Sequence, residues 1–126
     1  MKLTCNFSLS EFECNCGCEM PEDVKLNIIE LAENLQVLRD VLNVPIKLTN
    51  AYRCESKNKS VNGSKNSQHL VGKAADLQVS GMAPKDVADV VSELMENGLL
   101  KMGGLGRYET FTHVDIRGTK ARWGHN

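Results

Sequence analysis

The sequence predicts an α+β domain, a small antiparallel sheet with helices packed mainly on one side. Three patterns carry that expectation. Val24, Ile28, Leu31, Leu35, Leu38 and Leu42 recur at alternating four- and three-residue steps, the spacing of a helix face turned toward a core. Three short runs, Ile46–Thr49, Ala75–Val79 and Phe111–Ile116, alternate in character from residue to residue, as half-buried strands do. A second helical stripe of Val87, Val90, Val91 and Leu94 lies between the second and third runs.

Taken in order, the chain opens with Ser8 and Glu11 at the spacing of a capping box, which predicts a short helix. A cysteine loop follows. Pro21, Glu22 and Asp23 then start the long helix, with acids where its dipole favours them, and Asn43 and Pro45 stop it. Glu55 to Lys65 is polar apart from Val61 and reads as a surface loop with a turn at Asn62-Gly63. Pro84 suits the first turn of the second helix and Gly98 its end. Gly103-Gly104-Leu105-Gly106 lacks the pattern of a nucleotide-binding loop and reads as bends leading into the last strand. Arg122 and Trp123 are expected to fold back against the core, where an indole contributes much apolar area.

Length and composition narrow the classes. At 126 residues the chain is long enough for one domain, 1–126, with a core of its own. Apolar residues make up 41% and charged residues 25%, as in an ordinary globule. The net charge of −1 gives no argument for nucleic acid or an anionic membrane as partner. No apolar run is long enough to span a bilayer, and the N-terminus shows no apolar segment of a secretory signal. Five cysteines leave at least one unpaired within a monomer. Cys14, Cys16 and Cys18 alternate, and Cys54 follows Arg53. Buried free thiols are the default in a reducing compartment; a disulfide to Cys54 or a second metal site are the alternatives, although Cys-x-Cys-x-Cys departs from the usual zinc-ligand spacing.

The chemistry-bearing residues centre on His69, Asp76 and His113. His69 and Asp76 are seven residues apart, with Gly72 between them to let the chain turn. Asp76 projects from the strand face opposite Ala75, Leu77 and Val79, and His113 shares a face with Asp115. If the two strands are neighbours, two imidazoles and a carboxylate meet, a donor set that suits zinc and leaves a fourth position for water. A lone histidine or aspartate in a strand is more often merely hydrogen-bonded, so spacing alone does not establish the site.

Ser67-x-His69-x-x-Gly72-x-Ala74-x-Asp76 followed by His113-x-Asp115 resembles the M15 zinc peptidases, the D-Ala-D-Ala carboxypeptidases and murein endopeptidases that include many phage lysins. The likeness extends to Phe7–Phe12, Ala51-Tyr52-Arg53, Asn62-Gly63, Gly104–Tyr108 and Arg122-Trp123, nearly the whole chain in order. It implies the fold shared by hedgehog domains and D-Ala-D-Ala peptidases, and a Zn²⁺ cofactor held by His69, Asp76 and His113. It also implies a peptidoglycan peptide as substrate and action as a monomer. Such an enzyme would be made in the bacterial cytoplasm and reach the wall through a holin or in a virion. Arg53 is the expected oxyanion or substrate-carboxylate ligand, with Ser67 and Tyr52 beside it as substrate contacts. Two carboxylates compete as general base, Asp115 and Glu109, with Asp115 favoured. A non-catalytic zinc-binding domain of the same fold is one rival, separated from an enzyme by whether a base stands near the metal; a virion component with a vestigial site is another, separated by muralytic activity with and without chelator.

Overall fold

The computed structural model describes residues 1–124; His125, left out of the expected site, lies outside them. After a 3-10 turn over Leu9–Phe12 come α1 (Glu22–Leu42), β1 (Ile46–Asn50), α2 (Glu55–Ser60) and a second 3-10 turn, Gln68–Val71. The chain continues with β2 (Ala74–Val79), α3 (Pro84–Glu96), β3 (Gly104–Arg107), β4 (Thr112–Asp115) and β5 (Ala121–Gly124). The strands form one sheet in the order β1-β2-β4-β3-β5. This is the α+β class read from the sequence, with one difference. The first four strands pair antiparallel, but β5 joins β3 in parallel, so the sheet is mixed.

One sheet face is apolar and belongs to the core. Ala75 pairs with Val114 and Leu77 with Thr112, and Leu105 continues the row on β3. Ile28, Leu31 and Leu35 of α1 and Val87 and Val91 of α3 complete the same buried cluster. Burying each such side chain contributes about 1.5–3 kcal/mol relative to leaving it exposed. The long helix starts after Pro21 and ends where Asn43 turns left-handed at φ 55°, near the expected limits.

Three local expectations change. The polar stretch after Arg53 is not all loop: α2 forms there without an apolar stripe, so periodicity could not reveal it. Asn58 is buried within it, and its side-chain amide donates to the Ser64 carbonyl at 2.9 Å. The glycine-rich segment is itself a strand, β3, because a partner on each side supplies the ladder that glycine propensity would not favour. Trp123 lies on the face away from the core, whereas Arg122, its neighbour on β5, reaches the Met95 sulfur of α3.

Two glycines answer close approaches. Gly72 has φ +77°, and a Cβ there would stand 2.8 Å from the Val24 side chain of α1. Gly106 sits under Trp123, whose Nε1 would be 2.6 Å from an added Cβ. Gly106→Ala should therefore displace the chain's one tryptophan and cost about 1–3 kcal/mol by overpacking. A shifted Trp emission with a lower unfolding midpoint is the expected result; an unchanged spectrum would show that the indole is seated elsewhere.

Candidate metal centre

The sheet register builds the site. Asn50 pairs with Asp76, Asp76 with His113, His113 with Gly106, and Gly106 with Trp123, one row across all five strands. Paired residues share a face, so this row is the one opposite the helices. His69 comes to it from outside the sheet, on the 3-10 turn that Ser67 caps by accepting the His69 amide at 3.2 Å. Gly72 then reverses the chain into β2.

Asp76 stands between the imidazoles. Its Oδ1 is 3.3 Å from His69 Nε2 and 3.2 Å from His113 Nδ1. One donor atom from each residue lies within 4.8 Å of the others. His69 and His113 are 2% and 7% exposed, Asp76 8%. The outer nitrogens are also engaged. His69 Nδ1 lies 2.6 Å from the Ala51 carbonyl, which can only accept. His113 Nε2 lies 2.8 Å from Asp115 Oδ2. With those nitrogens donating, neutral imidazoles direct their lone pairs at Asp76, and three acceptors converge on one point. Such a cluster requires a proton or a cation, and the donor set fits Zn²⁺.

Asp115 is fully buried and heavily hydrogen-bonded. Besides His113, it accepts from the Gly104 amide at 2.8 Å and from Arg117 Nε and Nη2 at 2.9 and 2.7 Å. Burial opposes its charge, but His113, Arg117 and the Gly104 amide hold its carboxyl well below the usual carboxylate range. It reaches the side of His113 turned away from Asp76. Glu109 is exposed on the bend between β3 and β4. Neither carboxylate lines the open cleft of about 510 Å³ in front of the donors; among the described residues Asp76 is the one that does.

Arg53 does line the cleft. Its Nη2 donates to Ser67 Oγ at 3.2 Å, while its buried Nε has no partner. Burial lowers its pKa from the ordinary arginine value. Ser67 is at the rim but its oxygen is already used by Arg53 and the His69 amide. Tyr52 packs into the core and does not reach the cleft. The aromatic wall comes instead from residues the spacing of motifs did not single out as site members. Tyr108 stacks on Phe111 with centroids 4.4 Å apart and accepts a 2.8 Å hydrogen bond from Trp123 Nε1. Trp123 packs against His113 at 4.9 Å, with the Arg117 guanidinium 5.3 Å from its ring centroid. Arg117 was legible in principle, since it continues the His113–Asp115 alternation by one more step.

These charges set a pH dependence. Burial resists a charge on His113, but Asp115 and Asp76 raise its pKa above the ordinary histidine value. The stability this adds to the metal-free domain is present below about pH 6.5, the unfolded value, and is lost as pH rises through the folded one. A cation takes the place of that proton. Asp76, against the burial penalty, is held down to about 2 by His113 and His69, so it is ionised throughout. Thermal unfolding of chelated protein should therefore show a midpoint that falls as pH rises above about 6.5, while the zinc-induced rise in midpoint grows. A zinc effect independent of pH would contradict the arrangement.

The chain matches the family model described as Peptidase M15 over residues 5–115. That span contains all three donors, Arg53 and Asp115. No curated protein matches the chain. With the fold and the match over most of its length in agreement, the chain belongs to the peptidase M15 family, whose members are zinc peptidases.

Proposed function

We propose that this domain hydrolyses peptide bonds in the stem or cross-link peptides of bacterial peptidoglycan, as the lytic enzyme of a phage or prophage, with His69 Nε2, Asp76 and His113 Nδ1 holding a zinc ion. The observation that carries the reading is the convergence of two imidazole lone pairs and one carboxylate at the wall of an open cleft. Family membership supports metal-dependent peptide hydrolysis. The cleft itself supports an extended substrate bearing carboxylates: Arg53 and Arg117 line it, with Tyr108, Phe111 and Trp123 as flat apolar walls.

A zinc ion held by these three residues would keep a net positive charge, polarise a carbonyl and lower the pKa of a bound water toward ~7. The side chains around it do the rest. Arg53, which lines the cleft, offers its guanidinium to an oxygen gaining negative charge or to a substrate carboxylate. Ser67 steadies that guanidinium. Asp115 positions His113 through its Nε2–H; its five donors and full burial argue against the base role favoured from the sequence. The base role passes to Glu109, next to cleft-lining Tyr108, which would take the water's proton and return it to the leaving amine.

One observation favours a second reading, a zinc-binding domain without catalysis: neither Glu109 nor Asp115 lines the cleft. Digestion of purified peptidoglycan, with mass spectrometry of the fragments, separates the two. His113→Ala and Asp76→Ala should abolish cleavage with loss of the zinc at this site. Glu109→Gln should keep its zinc but lose about 10²–10⁴ in rate. Asp115→Asn should bind zinc about 10–100-fold more weakly and recover cleavage when zinc is added. Full activity of Glu109→Gln, or inactivity of Asp115→Asn at saturating zinc, would reverse the assignment of the base. Zinc-loaded wild type without any cleavage would favour the binding reading.

A further inference from the structure

A second cluster of metal-binding side chains lies outside the cleft. Cys14, Cys16, Cys18 and Cys54 each place a sulfur within 4.8 Å of the other three. Cys14 Sγ is 3.0 Å from Cys16 Sγ and 3.8 Å from Cys54 Sγ, and the Cys16–Cys54 separation is 3.3 Å. Separate buried thiols, the default from the sequence, do not describe this group: only Cys14 is buried, and Cys16 is exposed.

The local backbone explains how an unusual spacing converges. In an extended strand, residues two apart stand about 6.6 Å from each other. Here the Gly17 amide closes a turn on the Cys14 carbonyl at 3.0 Å, and Gly17 itself is left-handed at φ +83°. The curl aims three alternate sulfurs inward. Cys54 arrives from the segment after β1, which is tied to the same loop by the Tyr52 amide on the Phe12 carbonyl at 3.1 Å.

We propose that these four thiolates hold a structural zinc ion. A tetrahedron with Zn–S of ~2.3 Å has edges of about 3.8 Å, within the range of the observed separations. Four protein ligands fill the coordination sphere, so the ion is closed to substrate, and the four thiol protons pass to solvent on binding. Its position gives it a task. The clamped segment contains the Ala51 carbonyl that orients His69 and the Arg53 that lines the cleft. The cysteine site thereby ties the N-terminal loop to the rim of the catalytic cleft.

The test counts metal without using activity. Protein prepared under reducing conditions with zinc should contain two ions per chain for wild type and one for His113→Ala. Cys54→Ser should also hold one. Because that variant could fail to fold, cobalt substitution of wild type gives an independent readout: Co²⁺ should produce intense sulfur-to-metal charge-transfer absorption, retained in His113→Ala. In zinc-loaded protein only exposed Cys5 should react rapidly with a thiol reagent. One zinc in wild type and none in His113→Ala, without charge-transfer absorption, would overturn the cysteine site and leave the histidine site standing. A disulfide at Cys54 in freshly prepared protein would overturn it as well.

Discussion

The pairing of Asp76 with His113 across β2 and β4 is the constraint on which the rest depends. A slip of one residue in either strand would turn that strand's member, Asp76 or His113, into the apolar core and bring Leu77 or Val114 to the cleft. The register is held by the apolar row beside it, Ala75 against Val114 and Leu77 against Thr112, packed under α1 and α3. Core packing and site geometry are therefore two faces of one set of strand pairs. The cost of gathering a carboxylate and two imidazole lone pairs falls on the buried face of the cleft. The contacts behind them, Ala51 to His69 and Asp115 to His113, fix which nitrogen is offered.

Asp115 shows how a motif identifies a residue without giving its task. Alternation put Asp115 on the same face as His113, which is where it lies. What the alternation lacked was the distance between the two, and the Gly104 amide and the Arg117 fork that occupy the rest of the carboxylate. A carboxylate so thoroughly hydrogen-bonded is a good anchor for an imidazole and a poor proton acceptor. Arg117 joins this group to the cleft wall by standing over Trp123, so the positioning of His113 and the shape of the cleft share residues.

Much of the fold was legible because it rests on periodic burial. The stripe of α1, the face of α3 and the strands carrying Asp76 and His113 all announced themselves by apolar spacing. The failures have common physical causes. α2 has no apolar stripe, and its one buried residue is a polar asparagine. β3 is a strand through its neighbours rather than its glycines. The tryptophan on β5 was assigned to the core on size alone, although it pairs with the glycine that leaves room for it above His113. Tyr52 is expected at the site only from the family resemblance; in the structure it joins its neighbour Ala51 in the buried core. The thiols needed three dimensions, since a glycine-closed turn, not the spacing, brings them together.

The most direct measurement is anomalous scattering at the zinc absorption edge from crystals grown with zinc. The expected result is a peak ~2.0–2.2 Å from His69 Nε2, one Asp76 oxygen and His113 Nδ1, with Asp115 still hydrogen-bonded to His113 Nε2. No peak at that point, or a metal on His113 Nε2 with Asp115 turned away, would contradict it.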